Sequence, residues 1–323
     1  MAASRSLLCM LPAVLALAIA CPSPAAAASL HAGDLVALDS HWGTSYTRIV
    51  RVDPSAHSVE LLAMHGLLAN GANALTVLKD GRVLVASYAQ GLFLVDPTDG
   101  TQTLLLTNDA LGARPVGLAL EPTGTVVVLA YANGEGRLMR LTPGDGSIAP
   151  ITSGTDLVGS DVARAANGDL YVSRANDPPA TNSSTGSGSI VRLSSTGARI
   201  ATYVSDAFRG PSSLAIGSDG SVYAANWGVM NAGYGGRISR TEPATGLSSA
   251  PVLTSGCSAV AVSLDQRVYY SYQETTQSGT RYRVVDLAGS WVADDVTGNF
   301  VVVPEEPVAA RSATWGSVKR AYR

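Results

Sequence analysis

Polar and aromatic residues that could bind a ligand lie at or just after the ends of short β-branched segments of this chain. These residues are Asp39, His41, Trp42, Tyr88, Tyr131, Arg174, Asn176, Asn226, Trp227, Tyr272 and Glu274. Aromatic walls combined with a few hydrogen-bonding groups are typical of small-molecule pockets. We therefore predict one shallow binding site where these segment ends meet. The alternative is that several of these residues cap strands or stack on neighbouring units.

One pair among these residues could carry out chemistry as well as binding. His41 and Glu274 belong to the first and last units of a repeat, which become neighbours if the units form a closed ring. A histidine beside a carboxylate can transfer protons as a general acid and base. The alternative is a histidine and a glutamate on two unrelated surface loops, and we assign no catalytic residue.

An internal repeat must position these residues. Each unit combines a short apolar segment, a turn that ends in glycine, and a strand rich in β-branched and aromatic residues, as in Leu214–Asn226. The turn position holds Gly81, Gly124, Gly168, Gly220 and Gln266. These positions are 43 to 52 residues apart, and Gly33 matches the second half of a unit. Because Asp-Gly and Asn-Gly are hairpin dipeptides, we predict tight primed turns between antiparallel strands.

Two further strands follow in each unit, so the chain is predicted to be all-β with four antiparallel strands in each of six units. This organisation is typical of a six-bladed β-propeller. The first unit lacks its innermost strand, since few residues of the mature chain precede Gly33. We predict that residues 299–303 supply that strand from the C-terminal side and close the ring, which removes an open sheet edge.

An arginine recurs at one position of the third strand, and its copies are Arg51, Arg140, Arg192 and Arg240. A charged residue between apolar neighbours indicates a strand with one exposed face. We interpret these arginines as part of an outer, solvated face, with an arginine binding site as the alternative.

The unit Leu-Ala-x-x-x-Asp-Gly-x-Val-Tyr-x-Ala, which Leu214–Ala225 follows, resembles the six-bladed NHL-repeat and gluconolactonase-like (senescence-marker-like) propellers. The resemblance covers nearly the whole mature chain. It implies the fold but does not select an activity, because proteins with this fold include lyases, lactonases, dehydrogenases and binding modules. It also implies that ligands meet the face formed by the connections that follow the second and fourth strands.

The gluconolactonase resemblance further implies a divalent metal, held by an N-terminal Glu and by Asn and Asp side chains near the starts of the inner strands. The matching positions here are Asn73, Val116, Ser160, Ser212, Ser258 and Asn299. None is a carboxylate, Asp161 is one position off, and no Glu precedes the first unit. Because a hard divalent cation prefers several carboxylate oxygens, we predict no metal, no cofactor and no lactonase chemistry. We place these positions at the opposite end of the hairpins from the predicted ligand-binding residues.

Residues 1–28 are typical of a secretory signal peptide. Arg5 gives a positive start, Leu7–Ala20 is an apolar run of 14 residues, and Ala25–Ala28 offers cleavage sites. We predict cleavage before Ser29 and a secreted or periplasmic protein. The alternative is lipid attachment at Cys21, in a sequence similar to a bacterial lipobox. A transmembrane span is not predicted, because it needs about 20 apolar residues.

Residues 29–303 form the predicted propeller, and residues 304–323 form a linker and a short tail. The chain of 323 residues is 15% charged with a net charge of −3, which offers no basic surface for nucleic acid. We therefore predict an exported scaffold that binds a small molecule, a glycan or a protein through its loop-rich face. The alternative is a lactonase, hydrolase or lyase with a propeller fold.

Overall fold

The chain forms six sheets, each of four antiparallel strands, which confirms the predicted six-bladed β-propeller. The computed structural model describes residues 29–39, 47–65, 72–174, 188–205, 207–208, 210–227, 236–254, 256–276, 279–294, 296 and 298–303. The predicted signal peptide and C-terminal tail lie outside these residues. Within them, no helix combines the length and apolar character that crossing a membrane requires.

The strands in chain order are β1 (Leu35–Asp39), β2 (Thr47–Asp53), β3 (Ser58–His65), β4 (Ala72–Val77), β5 (Val83–Ser87), β6 (Gly91–Val95), β7 (Gln102–Thr107), β8 (Arg114–Leu120), β9 (Val126–Ala132), β10 (Glu135–Thr142), β11 (Ser147–Gly154), β12 (Asp161–Arg164), β13 (Leu170–Arg174), β14 (Ser189–Leu193), β15 (Arg199–Val204), β16 (Pro211–Ile216), β17 (Val222–Asn226), β18 (Arg237–Thr241), β19 (Ser248–Leu253), β20 (Cys257–Val262), β21 (Val268–Thr276), β22 (Gly279–Asp286), β23 (Trp291–Asp294) and β24 (Phe300–Val302). A short helix, α1 (Asn108–Leu111), precedes β8, and a 3-10 turn (Thr155–Leu157) precedes β12. Blade 1 comprises β24, β1, β2 and β3 from the channel outward. Blades 2 to 6 comprise β4–β7, β8–β11, β12–β15, β16–β19 and β20–β23.

The apolar core is divided into six clusters, each between two adjacent blades. Between blades 1 and 2, for example, Val36 and Ile49 pack with Leu75 and Val83. Middle strands such as β5 and β6 are buried along their whole length because a neighbouring blade covers each sheet face. The outermost strands are partly exposed. No blade therefore has a core of its own, and each depends on both neighbours.

The C-terminal strand closes the ring as predicted. In the antiparallel ladder between β24 and β1, Leu35 pairs with Val302 and Ala37 with Phe300. Beyond the ladder, Gly33 N–H donates to the carbonyl of Val303 at 3.0 Å. The first described segment of the chain and its last strand thus form one sheet, which completes blade 1.

The turns between first and second strands differ from the predicted type. Gly81 N–H donates to Leu78 O at 3.0 Å, and Leu78 N–H donates to Arg82 O at 2.8 Å. Gly81 has φ +86°, but Asp80 before it has no positive φ, whereas a primed two-residue turn of type I′ needs both. The prediction of primed turns is wrong, because only the last of three turn residues is left-handed. Gln266 adopts that conformation in blade 6, with φ +67°.

The third-strand arginines are partly exposed between buried neighbours, and each is also paired with a carboxylate, which the sequence did not predict. In four blades the guanidinium reaches a carboxylate in the turn that precedes the second strand. The pairs are Arg51–Asp34 at 2.6 Å, Arg140–Glu121 at 2.6 Å, Arg192–Asp169 at 2.5 Å and Arg240–Asp219 at 3.0 Å. The four arginine side chains are 15 to 36% exposed. We call the end of the ring that carries these turns the lower end, and the opposite end the upper end.

Removal of residues 296–323 is expected to destabilise the entire ring. Phe300 belongs to the cluster between blades 6 and 1, and Val303 to the cluster between blades 1 and 2, so two clusters lose buried side chains. Loss of one buried Phe side chain alone costs about 3–5 kcal/mol. Urea unfolding should therefore show one cooperative transition at a much lower midpoint. Deletion of residues 304–323 is the control and should leave the midpoint unchanged; equal losses for both deletions would contradict the role of β24.

Candidate functional site

The upper end of the ring is where the first strand of each blade begins and the second strand ends. The ladders show this, because Ala72 pairs with Ser87 and Cys257 pairs with Tyr272. The starts of the inner strands and the predicted ligand-binding residues therefore share one end. Our placement of these two sets at opposite ends is wrong, because antiparallel pairing puts the start of one strand beside the end of its neighbour.

One residue from each blade lies at the upper mouth of the central channel. We call Asn73, Val116, Ser160, Ser212, Ser258 and Asn299 the mouth ring, and all six are partly exposed. The Ser212 hydroxyl donates to the carbonyl of Ala225 at 3.2 Å, and Asn299 Nδ2 donates to the carbonyl of Asn73 in the next blade. Polar side chains of the mouth ring thus bond to backbone of their own and neighbouring blades.

Below the mouth ring, the six inner strands enclose a cavity of about 260 Å³. Each inner strand has one edge without a neighbouring strand, so its N–H groups need other partners. Asp161 Oδ1 accepts from Val162 N–H at 2.8 Å, and its Oδ2 accepts from Leu214 N–H of blade 5 at 2.9 Å. Ser213 Oγ accepts in the same way from Val260 N–H of blade 6, at 3.4 Å. These side chains link blades 4, 5 and 6 along the channel.

Burial changes the protonation of this channel carboxyl. Asp161 is 9% exposed, and loss of hydration raises its pKa to about 7. The N–H groups of Leu214 and Val162 and the hydroxyl of Ser213 act in the opposite direction, since each donates to the ionised form. The carboxyl is therefore partly protonated near neutral pH.

The contribution of Asp161 to stability is expected to fall as the pH rises. Its folded pKa of about 7 lies above the ordinary value of 3.8 for an aspartate, so the native state holds a proton that the unfolded chain has already lost. The stabilisation is complete below pH 3.8 and is lost as the pH rises through 7. A difference of three pKa units corresponds to roughly 4 kcal/mol. The free energy of unfolding should be measured in urea for the wild type and for Asp161→Asn across this range. The difference between them should change in favour of the variant as the pH rises.

Ser212→Ala is the control for this measurement. It removes the hydrogen bond to the carbonyl of Ala225 without removing a titratable group or a hydrogen-bond partner of Asp161, so its stability should follow the wild-type pH dependence at a constant offset. If Asp161→Asn also ran parallel to the wild type, the perturbed titration of Asp161 would be refuted.

Three predicted ligand-binding residues are buried at the strand ends. Asp39 accepts a hydrogen bond from Arg48 Nε at 2.6 Å. Asn226 Nδ2 donates to the carbonyl of Ala224 at 2.9 Å and to the Ser239 hydroxyl at 3.0 Å. Arg174 is 7% exposed at the end of β13. Asp39 and Asn226 hold neighbouring strands together, and the three side chains lie beneath the upper surface.

Four predicted aromatic residues are partly exposed at the upper end, and they are Tyr88, Tyr131, Trp227 and Tyr272. They come from blades 2, 3, 5 and 6 respectively. The N–H of Trp227 donates to the carbonyl of Gly210 at 3.2 Å, which fixes the backbone at that residue. Aromatic surface is thus available from four blades at one end of the ring.

Glu274 lies in an ion-pair network of blade 6. Its Oε2 is 3.2 Å from Arg283 Nε, and that nitrogen is 3.3 Å from Asp294 Oδ1. A hydrogen bond with Tyr272, followed by the charge of Glu274, raises the pKa of Arg283. His41, Trp42 and Asn176 lie outside the described residues, so the proposed acid–base pair of His41 and Glu274 stays a prediction.

Sequence reasoning missed one residue at this end. Arg114 begins β8, and its guanidinium carbon is 4.9 Å from the centroid of the Tyr88 ring. The repeat used to find candidate residues starts at Leu118 in this blade and therefore excluded Arg114. A charged residue directly before the Pro115 of an inner strand is the sequence signal that could have identified it.

No protein-family model and no curated protein matches this chain. Among solved structures, a chain of a nidogen/laminin complex has a TM-score of 0.64 at 15% identity, with 84% of this chain and 99% of that chain covered. TolB from Acinetobacter baumannii has a TM-score of 0.62 at 12% identity, covering 84% and 67%. A putative gluconolactonase has a TM-score of 0.50 at 15% identity, covering 74% and 81%. At these identities the likeness shows the fold alone, in proteins that include enzymes and members of protein complexes.

Proposed function

We propose that this protein is an exported binding scaffold whose ligand or protein partner docks on the upper end of the ring. The observation that carries the proposal is the set of partly exposed aromatic side chains contributed by four blades, Tyr88, Tyr131, Trp227 and Tyr272. Tyrosine and tryptophan supply large contact areas together with a polar group, which suits them to binding surfaces.

The polar groups beneath these aromatics support binding over catalysis. Asp39 and Asn226 are occupied by bonds within the fold, and Glu274 is paired with Arg283. A catalytic acid or base must instead reach a substrate proton. These side chains are engaged in bonds within the fold, which favours a surface that recognises a partner.

Substitution of the upper aromatics is expected to weaken binding without unfolding the ring. The mature full-length protein should be screened against glycan and peptide arrays, and the affinity of each ligand found should be measured for Trp227→Ala and Tyr272→Ala. Each variant should lose at least about tenfold in affinity, or 1.4 kcal/mol, because each removes a partly exposed aromatic contact. Circular dichroism of Trp227→Ala should stay unchanged, because Trp227 follows the last residue of β17. Tyr272 also packs against the cluster between blades 5 and 6, so the affinity of Tyr272→Ala is compared only if its spectrum matches that of the wild type.

Leu264→Ala is the matched control for this experiment. Leu264 is 66% exposed in a lower-end turn of blade 6, so its removal should not change the affinity. Equal losses from Leu264→Ala, or no loss from either upper variant, would contradict the proposed surface. Lactone hydrolysis stimulated by calcium or zinc would support the enzyme alternative instead.

Export is expected to leave a mature protein that begins near Ser29. Leu30 is buried in the cluster between blades 1 and 2, so cleavage before Ser29 retains every apolar residue that the described core uses. Mass spectrometry of the protein recovered from its native cells should find this N-terminus, and detergent phase separation should leave the protein in the aqueous phase. A diacylated Cys21 at the N-terminus would instead establish lipid anchoring.

A further inference from the structure

Arg114 and Tyr88 form a stacked pair at the upper end, between blades 3 and 2. The guanidinium carbon lies 4.9 Å from the ring centroid, a distance at which a cation is attracted to the face of an aromatic ring. Tyr131, directly opposite Arg114 in the β8–β9 ladder, is also partly exposed. The arginine itself is exposed. Arg114 is therefore accessible to solvent, and its contact with Tyr88 restricts the orientation of its guanidinium.

The connection from blade 2 to blade 3 holds this arginine in place. It contains α1, whose first residue, Asn108, donates through Nδ2 to the carbonyl of Tyr88 at 3.0 Å. Gly112 follows the last residue of this helix. It has φ +61°, and its carbonyl accepts from Arg137 Nη1 at 3.1 Å. These bonds tie the residues just before Arg114 both to the tyrosine on which it stacks and to β10.

The charge of Arg114 is not compensated within the described residues. Its side chain makes neither an ion pair nor a hydrogen bond there, whereas Arg140 on β10 of the same blade is paired with Glu121 at 2.6 Å. Arg137, also on β10, donates a hydrogen bond from its guanidinium to the carbonyl of Gly112. The stacked guanidinium is thus an exposed cation with its N–H edge available.

We propose that Arg114 binds a carboxylate group of the molecule that docks on the upper end, with Tyr88 holding the guanidinium in position. This inference rests on the proposed function and specifies the chemistry of that partner: an acidic sugar, or an acidic side chain of a peptide. A guanidinium can donate two parallel N–H bonds to the two oxygens of a carboxylate. A carboxylate carries one negative charge and matches this single cation, whereas a phosphate carries more charge and is usually held by several donors.

Nuclear magnetic resonance of arginine Nε–H groups tests the site without knowledge of the partner. The mature full-length protein is titrated with glucuronate and with N-acetylglutamate, the two sources of a carboxylate. Glucose and N-acetylglutamine are their neutral counterparts, and inorganic phosphate is the competing anion. The Arg114 signal is assigned by its disappearance in Arg114→Gln. Arg281→Gln is the control variant, because Arg281 is an exposed arginine on β22 at the same end of the ring.

We expect the Arg114 signal to shift saturably with at least one carboxylate and not with its neutral counterpart. Arg114→Gln should weaken that binding at least tenfold, while Arg281→Gln should leave it unchanged. Equal responses to acid and neutral compounds, equal shifts at Arg281, or a stronger response to phosphate would overturn the assignment. The affinity of Trp227→Ala for its ligand tests the upper surface separately. If Trp227→Ala weakens binding but the Arg114 signal does not respond to either carboxylate, this inference is refuted and the proposed function stands.

Discussion

Closure of the ring by β24 is the constraint on which the rest of the structure depends. Every apolar cluster lies between two blades, so each blade is stable only with a neighbour on both sides. The last strand contributes Phe300 to one cluster at the seam and Val303 to the next. At the outer edge of the same seam, the His57 ring of blade 1 stacks on Trp291 of blade 6, with centroids 5.1 Å apart. A chain with no disulfide in its described body thus joins its two ends by pairing and packing.

The same architecture leaves six strand edges facing the channel, and this explains why polar residues are buried there. An unpaired N–H at such an edge needs an acceptor, which Asp161 supplies to Leu214 and Ser213 supplies to Val260. Asp161 follows Ser160, one of the positions at which the resemblance to gluconolactonase-like propellers implied a metal ligand. Here it bonds one inner strand to the next. The polar lining of the channel is therefore part of the structural framework.

The sequence predicted the fold because the fold is repeated, and it predicted the site less well because the site is not. A left-handed residue, glycine in blades 2 to 5 and Gln266 in blade 6, recurs at the first hairpin, so periodicity alone identified the blades and the missing strand. The same pattern could not show that Arg140 reaches Glu121, because that contact joins a third-strand residue to a residue of a turn that lies 19 positions earlier in the chain. Nor could it separate Asn226, bonded inward, from Trp227 beside it, which is partly exposed. Arg114 precedes the repeated segment and was missed for that reason.

The buried hydrogen bonds of the framework also position the exposed side chains on which the proposed binding depends. Bonds to backbone carbonyls fix the positions next to the exposed side chains, as Asn108 does for Tyr88 and Gly210 does for Trp227. A surface whose backbone is already held in place loses less conformational entropy when a partner docks, so more of the contact energy appears as affinity. Stacking of Arg114 on Tyr88 extends this principle to a charged group, because the guanidinium is oriented before any carboxylate arrives. The closed ring therefore holds residues from separate blades in a constant arrangement, on which the proposed recognition depends.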